Sequence, residues 1–115
     1  PGIITPVELP ESKSSWHLYP IRIQLDRFSS GRKEIFQALR AENIQVNVHY
    51  IPVHLHPYYR DRFGHQDGEF PVAEAAYERL LTLPLFPTMT DQDVGDVIEA
   101  MDKVLNHYLA DNITP

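Results

Sequence analysis

Residues 90–108 carry the pattern that most limits how this chain can fold. Val94, Val97, Ile98, Met101, Val104, Leu105 and Tyr108 recur at the three-to-four spacing of one helix face, and Thr90 with Asp93 approximates a capping box at its start. Asp91 and Asp93 fall in the first turn, where the helix dipole favours negative charge. A stripe five turns long must be covered by other apolar surface. The remaining chain has to supply that cover.

The cover is predicted to be small strands and one more helix. Within Trp16–Leu25, residues His17, Tyr19, Ile21, Ile23 and Leu25 share one parity, opposite Arg22, Gln24 and Asp26, as a half-buried strand requires. Pro20 has no N–H, so that strand begins near it or lies on an edge. Ser29-Ser30-Gly31 reads as a turn with an N-cap, followed by a helix over residues 31–42 with Ile35, Phe36 and Leu39 inward and Asn43 at its C-terminal cap. Ile44, Val46, Val48 and Tyr50 alternate with Gln45, Asn47 and His49 and predict a second strand. Pro57–Phe63 predicts a short helix closed by Gly64. A further helix is expected from Pro71 to about Leu81, then an extended piece over residues 83–87. Residues 1–15 read as an extended lead-in and residues 64–70 as loop, and Asp111–Pro115 should fray. Strands interleaved with helices in this order define an α+β domain, a small antiparallel or mixed sheet covered by helices.

Composition narrows the function classes. The chain has 115 residues, 43% of them hydrophobic, which is enough for one domain with a core. Acidic residues outnumber basic ones 16 to 10, a balance that repels nucleic acid and anionic membranes. No apolar run approaches the ~20 residues of a membrane span. No signal-peptide pattern is visible. Without cysteine there is no disulfide framework, zinc thiolate or thiol nucleophile, and a cytoplasmic location fits. Ten prolines and many large aromatics in so small a domain, and a start at Pro1-Gly2, fit a piece of a larger protein whose surface rests on something else.

Val48–Tyr59 concentrates the candidate chemistry, with His49, His54, His56, Tyr50, Tyr58 and Tyr59 in twelve positions. Such a segment lines a pocket, contacts a partner or binds a metal. His49, His54 and His56 with Glu69 or Asp67 would make a metal face, although no HExxH helix accompanies them. Hydrogen-bonded structural histidines are the plainer reading. Ser14 and Ser15 lack a nucleophile elbow, and the five glycines are too scattered to cradle phosphate. Lys13, Lys33 and Lys103 sit in polar settings unsuited to Schiff-base work. Arg60, Arg62 and His65 read as a solvated helix face. From the residues alone, a stand-alone small-ligand or protein-interaction module remains open beside the metal-binding alternative.

Four blocks in order narrow this. Ser14-Ser15-Trp16-His17-Leu18-Tyr19-Pro20-Ile21, the run Glu34–Leu39 leading into Asn43-Ile44-Gln45-Val46, His49-Tyr50-Ile51-Pro52-Val53-His54 with Pro57-Tyr58-Tyr59, and Leu83-Pro84-Leu85-Phe86-Pro87 before Thr90-Asp91 resemble the C-terminal part of the DegT/DnrJ/EryC1/StrS sugar aminotransferases. The resemblance covers Lys13 to Leu105 and is greatest to the pseudaminic-acid and spore-coat polysaccharide branch. It implies the small C-terminal α+β domain of a fold-type I pyridoxal-phosphate (PLP) enzyme. The intact enzyme would be a homodimer that moves an amino group from glutamate to a nucleotide-linked 4-keto-6-deoxy sugar. The cofactor and its lysine would belong to a large domain absent from residues 1–115, so no catalytic, cofactor-binding or metal residue is assigned here and the chain alone is expected to be inactive. The substrate wall implied by the resemblance is His49 and Tyr50, then His54, with Tyr58 and His17 as weaker members.

Overall fold

The computed structural model describes residues 2–110. Its order is β1 (Ile3–Ile4), β2 (Tyr19–Ile23), α1 (Arg32–Ala41), α2 (Pro57–Phe63), α3 (Pro71–Arg79), β3 (Leu80–Leu83) and α4 (Asp91–Tyr108), with single 3-10 turns at Leu25–Arg27 and Val53–Leu55. The strands form one antiparallel sheet in the order β1-β2-β3, so the expected α+β class holds with purely antiparallel pairing. The fraying expected of Asp111–Pro115 lies outside the described residues.

Local chemistry explains the helix ends. Glu34 accepts the Gly31 N–H at 3.1 Å at the start of α1. At its end Asn43 is left-handed (φ 64°), its N–H reaches the Arg40 carbonyl at 3.1 Å, and Ile44 N–H reaches Leu39 O at 3.0 Å. That pair of bonds is a Schellman motif, and it turns Ile44 back onto the core. Thr90 Oγ1 accepts from Asp93 N–H at 3.2 Å while Asp93 Oδ2 accepts from Thr90 N–H at 2.7 Å, which completes the expected capping box. α2 begins at Pro57 and stops at left-handed Gly64, as read from the sequence.

The core lies between the sheet and the α1/α4 pair. Ile21, Ile23, Ile35, Leu39, Val46 and Leu81 are fully buried, joined by Val97, Ala100, Met101, Val104 and Leu105 of α4. Burying each large aliphatic side chain is worth roughly 1.5–3 kcal/mol. The α4 stripe is narrower than expected: Val94 and Ile98 face outward, and Ala100 takes a core position. Phe28 seals the open end, its ring so near Gly2 that a Cβ there would sit 2.3 Å from Cζ. Only glycine fits at residue 2. On the other face of the sheet, α3 runs beside Arg22 and Ile4 across a groove of about 400 Å³.

Three strand and helix boundaries depart from the sequence expectations. Residues 44–50 do not form a strand; they make one antiparallel bridge, Asn47 to Thr82, with N–H···O distances of 3.0 and 2.7 Å. The next hydrogen-bonded position toward the β3 end would need an N–H from Pro84, which has none. On the other side the Asn47 carboxamide accepts the Val48 N–H at 2.8 Å, a bond on the edge facing away from β3. The strand expected over residues 16–25 shrinks to Tyr19–Ile23, because Trp16 turns left-handed (φ 48°) and Leu25 enters a 3-10 turn. The helix expected through Leu81 stops at Arg79, since Leu80–Leu83 pairs with β2 in the register Arg22↔Leu80 to Tyr19↔Leu83. Pairing with a buried strand overrides the helix propensity of the three leucines in those four residues.

Pro20 shows why its strand survives. β2 is the central strand, yet β1 pairs only with Ile23 and Arg22, leaving the Pro20 edge on that side empty. Opposite it, Thr82 spends both backbone groups on Asn47, so Pro20↔Thr82 is a position where no N–H from Pro20 is required.

Candidate functional site

The histidine–tyrosine segment becomes a looped wall rather than a strand end. After Val48 the backbone leaves the sheet, and Pro52 and Pro57 bracket the 3-10 turn that carries His54. His49 and Tyr50 lie together, ring centroids 4.6 Å apart. Tyr50 is 67% exposed, whereas His49 is half-buried and its Nδ1 is enclosed with no hydrogen-bond partner among the described residues. Tyr58 is 64% exposed and meets Tyr59 edge-on at 5.3 Å. His17 is exposed ahead of β2.

His54 differs from the rest. It is 8% exposed, and its Nε2 lies 2.9 Å from Glu74 Oε1 on α3. An ionised carboxylate only accepts, so the imidazole carries its proton on Nε2 and donates it. Phe70 packs on the same ring at 4.7 Å and His65 meets it edge-on at 6.4 Å. Around them Pro52, Val53, Tyr59 and Ala73 complete an aromatic hollow of about 390 Å³. Glu74 carried no signal in the sequence, because its partner is twenty residues away and on another element.

Loop 64–70 is pinned over this hollow. Glu74 accepts the Gly68 N–H with both oxygens at 2.8 and 2.9 Å and the Phe70 N–H at 3.2 Å. Arg60 grips Asp67 through two bonds of 3.1 and 2.7 Å and donates Nε–H to Leu55 O at 3.0 Å. His65 Nδ1–H donates to Glu69 at 2.9 Å. Arg60 and His65, read as a solvated face, therefore act as loop ties.

These contacts hold three carboxyls below their ordinary range. Glu74 is lowered by the Gly68 N–H and then by His54, Asp67 by Arg60, and Glu69 by His65 and then the Gln66 N–H. A carboxyl with a lowered folded pKa stabilises the fold above its unfolded pKa, and that contribution is lost as pH falls through the folded value. Thermal unfolding temperature is therefore expected to hold from neutral pH to about pH 5 and to drop below about pH 4. A transition temperature flat down to about pH 3 would contradict these contacts.

Four of the five residues considered for a metal face are engaged elsewhere, His49 being the exception. His54 faces Glu74, His56 Nε2 lies 3.3 Å from Ile51 O, Asp67 holds Arg60 and Glu69 holds His65. Among the described residues, no group of three or more His, Cys, Asp or Glu converges on a metal-sized position. Among them, too, no helix is long and apolar enough to cross a membrane.

A small antiparallel sheet backed by α1 and α4, with an aromatic-histidine loop leaving its edge, is the architecture of a fold-type I small domain. The DegT/DnrJ/EryC1/StrS aminotransferase family model matches residues 1–102, and the chain belongs to that family. It is 44% identical over 106 residues to the Bacillus subtilis spore coat polysaccharide biosynthesis protein SpsC, and 47% identical over 105 residues to the uncharacterised Methanocaldococcus jannaschii protein MJ1066. In each case the match covers 91% of this chain and 27% of the relative, so the chain spans about a quarter of the length of these curated relatives. Among solved structures, the putative sugar aminotransferase Spr1654 from Streptococcus pneumoniae in its PMP-form aligns with TM-score 0.80 and 31% identity over 92% of this chain and 26% of its own. Helicobacter pylori PseC, an aminotransferase involved in the biosynthesis of pseudoaminic acid, aligns with TM-score 0.75 and 26% identity over 85% of this chain and 26% of its own.

The lysines do not fit the cofactor chemistry the family implies. Lys103 Nζ is 2.7 Å from Glu42 on the α1/α4 surface, and Lys13 and Lys33 are exposed. None lies in the buried, apolar setting that makes an amine a nucleophile at neutral pH.

Proposed function

We propose that this chain is the C-terminal small domain of a PLP-dependent aminotransferase that moves an amino group from glutamate to a nucleotide-linked keto sugar in cell-surface polysaccharide biosynthesis. The family match over residues 1–102 carries this reading. A large domain of the same polypeptide supplies the cofactor, its lysine and most phosphate contacts. The intact enzyme is a cytoplasmic homodimer and binds neither nucleic acid nor membrane. Residues 1–115 provide one wall of the sugar site and hold no catalytic group.

In that wall His49 and Tyr50 do the binding. The phenol of Tyr50 is free to bond a sugar hydroxyl or a diphosphate oxygen. The imidazole of His49 lies beside it, ring centroids 4.6 Å apart, and offers Nε2 to the same group. Tyr58 and His17 lie at the margin, and His54 supports the wall from beneath.

The test uses the full-length enzyme. His49→Ala and Tyr50→Phe are each expected to raise KM for the nucleotide sugar about tenfold, the worth of one hydrogen bond of ~1–1.5 kcal/mol. The half-reaction with glutamate should keep its rate. An unchanged sugar KM in both variants removes these residues from the wall. Failure of the unaltered enzyme to pass glutamate nitrogen to any nucleotide keto sugar overturns the function itself.

A further inference from the structure

Glu74 ties together three elements through hydrogen bonds. It projects from the first turn of α3. One of its oxygens takes the His54 Nε2–H of the 3-10 turn at 2.9 Å. The same carboxylate takes the amides of Gly68 and Phe70 from loop 64–70. Gly68 is left-handed (φ 86°), a backbone state that other L-residues adopt only with strain. Its amide is thereby aimed at α3. Phe70, brought in by its own amide, lays its ring 4.7 Å from the His54 ring.

Every polar contact of this cluster leads back to the same carboxylate. His54 has no other side-chain hydrogen bond among the described residues. The charged groups around Glu74 are His54 on the 3-10 turn, Arg60 on α2, and His65, Asp67 and Glu69 on the loop. Arg60 is paired with Asp67 and His65 is hydrogen-bonded to Glu69, which leaves Glu74 and His54 as partners. Glu74 lies beneath the Tyr50–Tyr59 segment and does not reach the exposed wall itself.

We propose that Glu74 is a positioning residue for this site: one carboxylate orients the His54 imidazole and holds loop 64–70 closed, so that the 49–59 wall and the loop move as a single body. The role in substrate binding rests on the aminotransferase reading; the coupling of His54 to the loop does not.

Nitrogen-15 NMR on the 115-residue chain tests the coupling. In the unaltered protein His54 is expected as the Nε2–H tautomer, with the Gly68 and Phe70 amides slow to exchange. Glu74→Gln keeps the size and one acceptor oxygen but loses the charge. It should speed exchange of both amides about tenfold and shift the His54 tautomer balance in the same sample. Glu74→Asp should restore part of the protection, and Glu78→Ala, on the exposed side of the same helix, should leave both signals unchanged. Retention of the Nε2–H tautomer, or of slow exchange, in Glu74→Gln overturns the proposal. In the full-length enzyme Glu74→Gln is expected to raise the sugar KM several-fold with the glutamate half-reaction unaltered. An unchanged KM together with the lost NMR coupling overturns the positioning role and leaves the aminotransferase reading standing. No transamination by the unaltered enzyme overturns that reading instead, while the NMR result still decides the coupling.

Discussion

Residues 1–115 mixed with pyridoxal phosphate and glutamate are expected to yield no 2-oxoglutarate and no absorbance beyond that of the free cofactor. The reason is the placement of three amines. Lys103 is spent on Glu42 at 2.7 Å, and Lys13 and Lys33 stand in water. A solvated amine keeps its proton at neutral pH and is a poor nucleophile. Nothing here encloses the cofactor either: the aromatic hollow beside His54 is bordered by Pro52, Val53, Tyr59, Phe70 and Ala73, has no lysine or arginine in its lining to neutralise a phosphate, and its His54 and His65 are already bonded to carboxylates. Enzymes gain many orders of magnitude over solution, so under the proposed division of labour this is the largest effect expected for this chain. Spectrophotometric titration with the cofactor checks it. A saturable band that disappears on one Lys→Ala substitution would place the chemistry on this chain and sink the division of labour.

Leu39→Ala should be the most damaging single substitution for the fold, costing about 2–5 kcal/mol. Leu39 is fully buried where α1 meets α4 and the sheet, and its carbonyl anchors the Schellman turn that directs Ile44 inward. Truncation opens a cavity between helices that pack directly on each other, so the surroundings have little room to collapse. Small domains have about 5–15 kcal/mol in total, so the loss is a large share. Urea unfolding of the variant beside Ile98→Ala, at an exposed position of α4, measures it. Equal midpoints for the two variants would contradict the core described for α1 and α4.

The exposed apolar side chains of residues 50–72 bear on the same division. Tyr50, Val53, Tyr58, Phe63 and Val72 all face outward. Exposed apolar side chains gathered in so short a stretch would be covered by a neighbouring domain under the proposed reading.

How far the sequence could be read depended on where the deciding partner sits. The Asn43 cap, the Thr90–Asp93 box, the Pro57–Gly64 helix and most of the α4 stripe were legible because each is settled within a few residues. The strand expected over residues 44–50 failed on Pro84, nearly forty residues away, which cannot donate the next ladder bond. The helix expected through Leu81 failed because β2 claims Leu80–Leu83. In the site, the residue types of Val48–Tyr59 marked a segment that lines a pocket, contacts a partner or binds a metal, and the four blocks in order gave the family. What the types could not reveal was that His54 is buried against a carboxylate on α3, or that His49 keeps an unpartnered Nδ1.

The sequence by itself determined the helix boundaries set by caps, the α+β class and the family, because these follow from short-range periodicity and from motifs read in order. The tertiary structure alone decided the sheet register, the end of α3 and the separation of the histidines into an exposed wall and a buried hub. Hydrogen bonds between distant elements choose those, and a carboxylate such as Glu74 has no meaning until the chain brings His54, Gly68 and Phe70 within 3.2 Å of it.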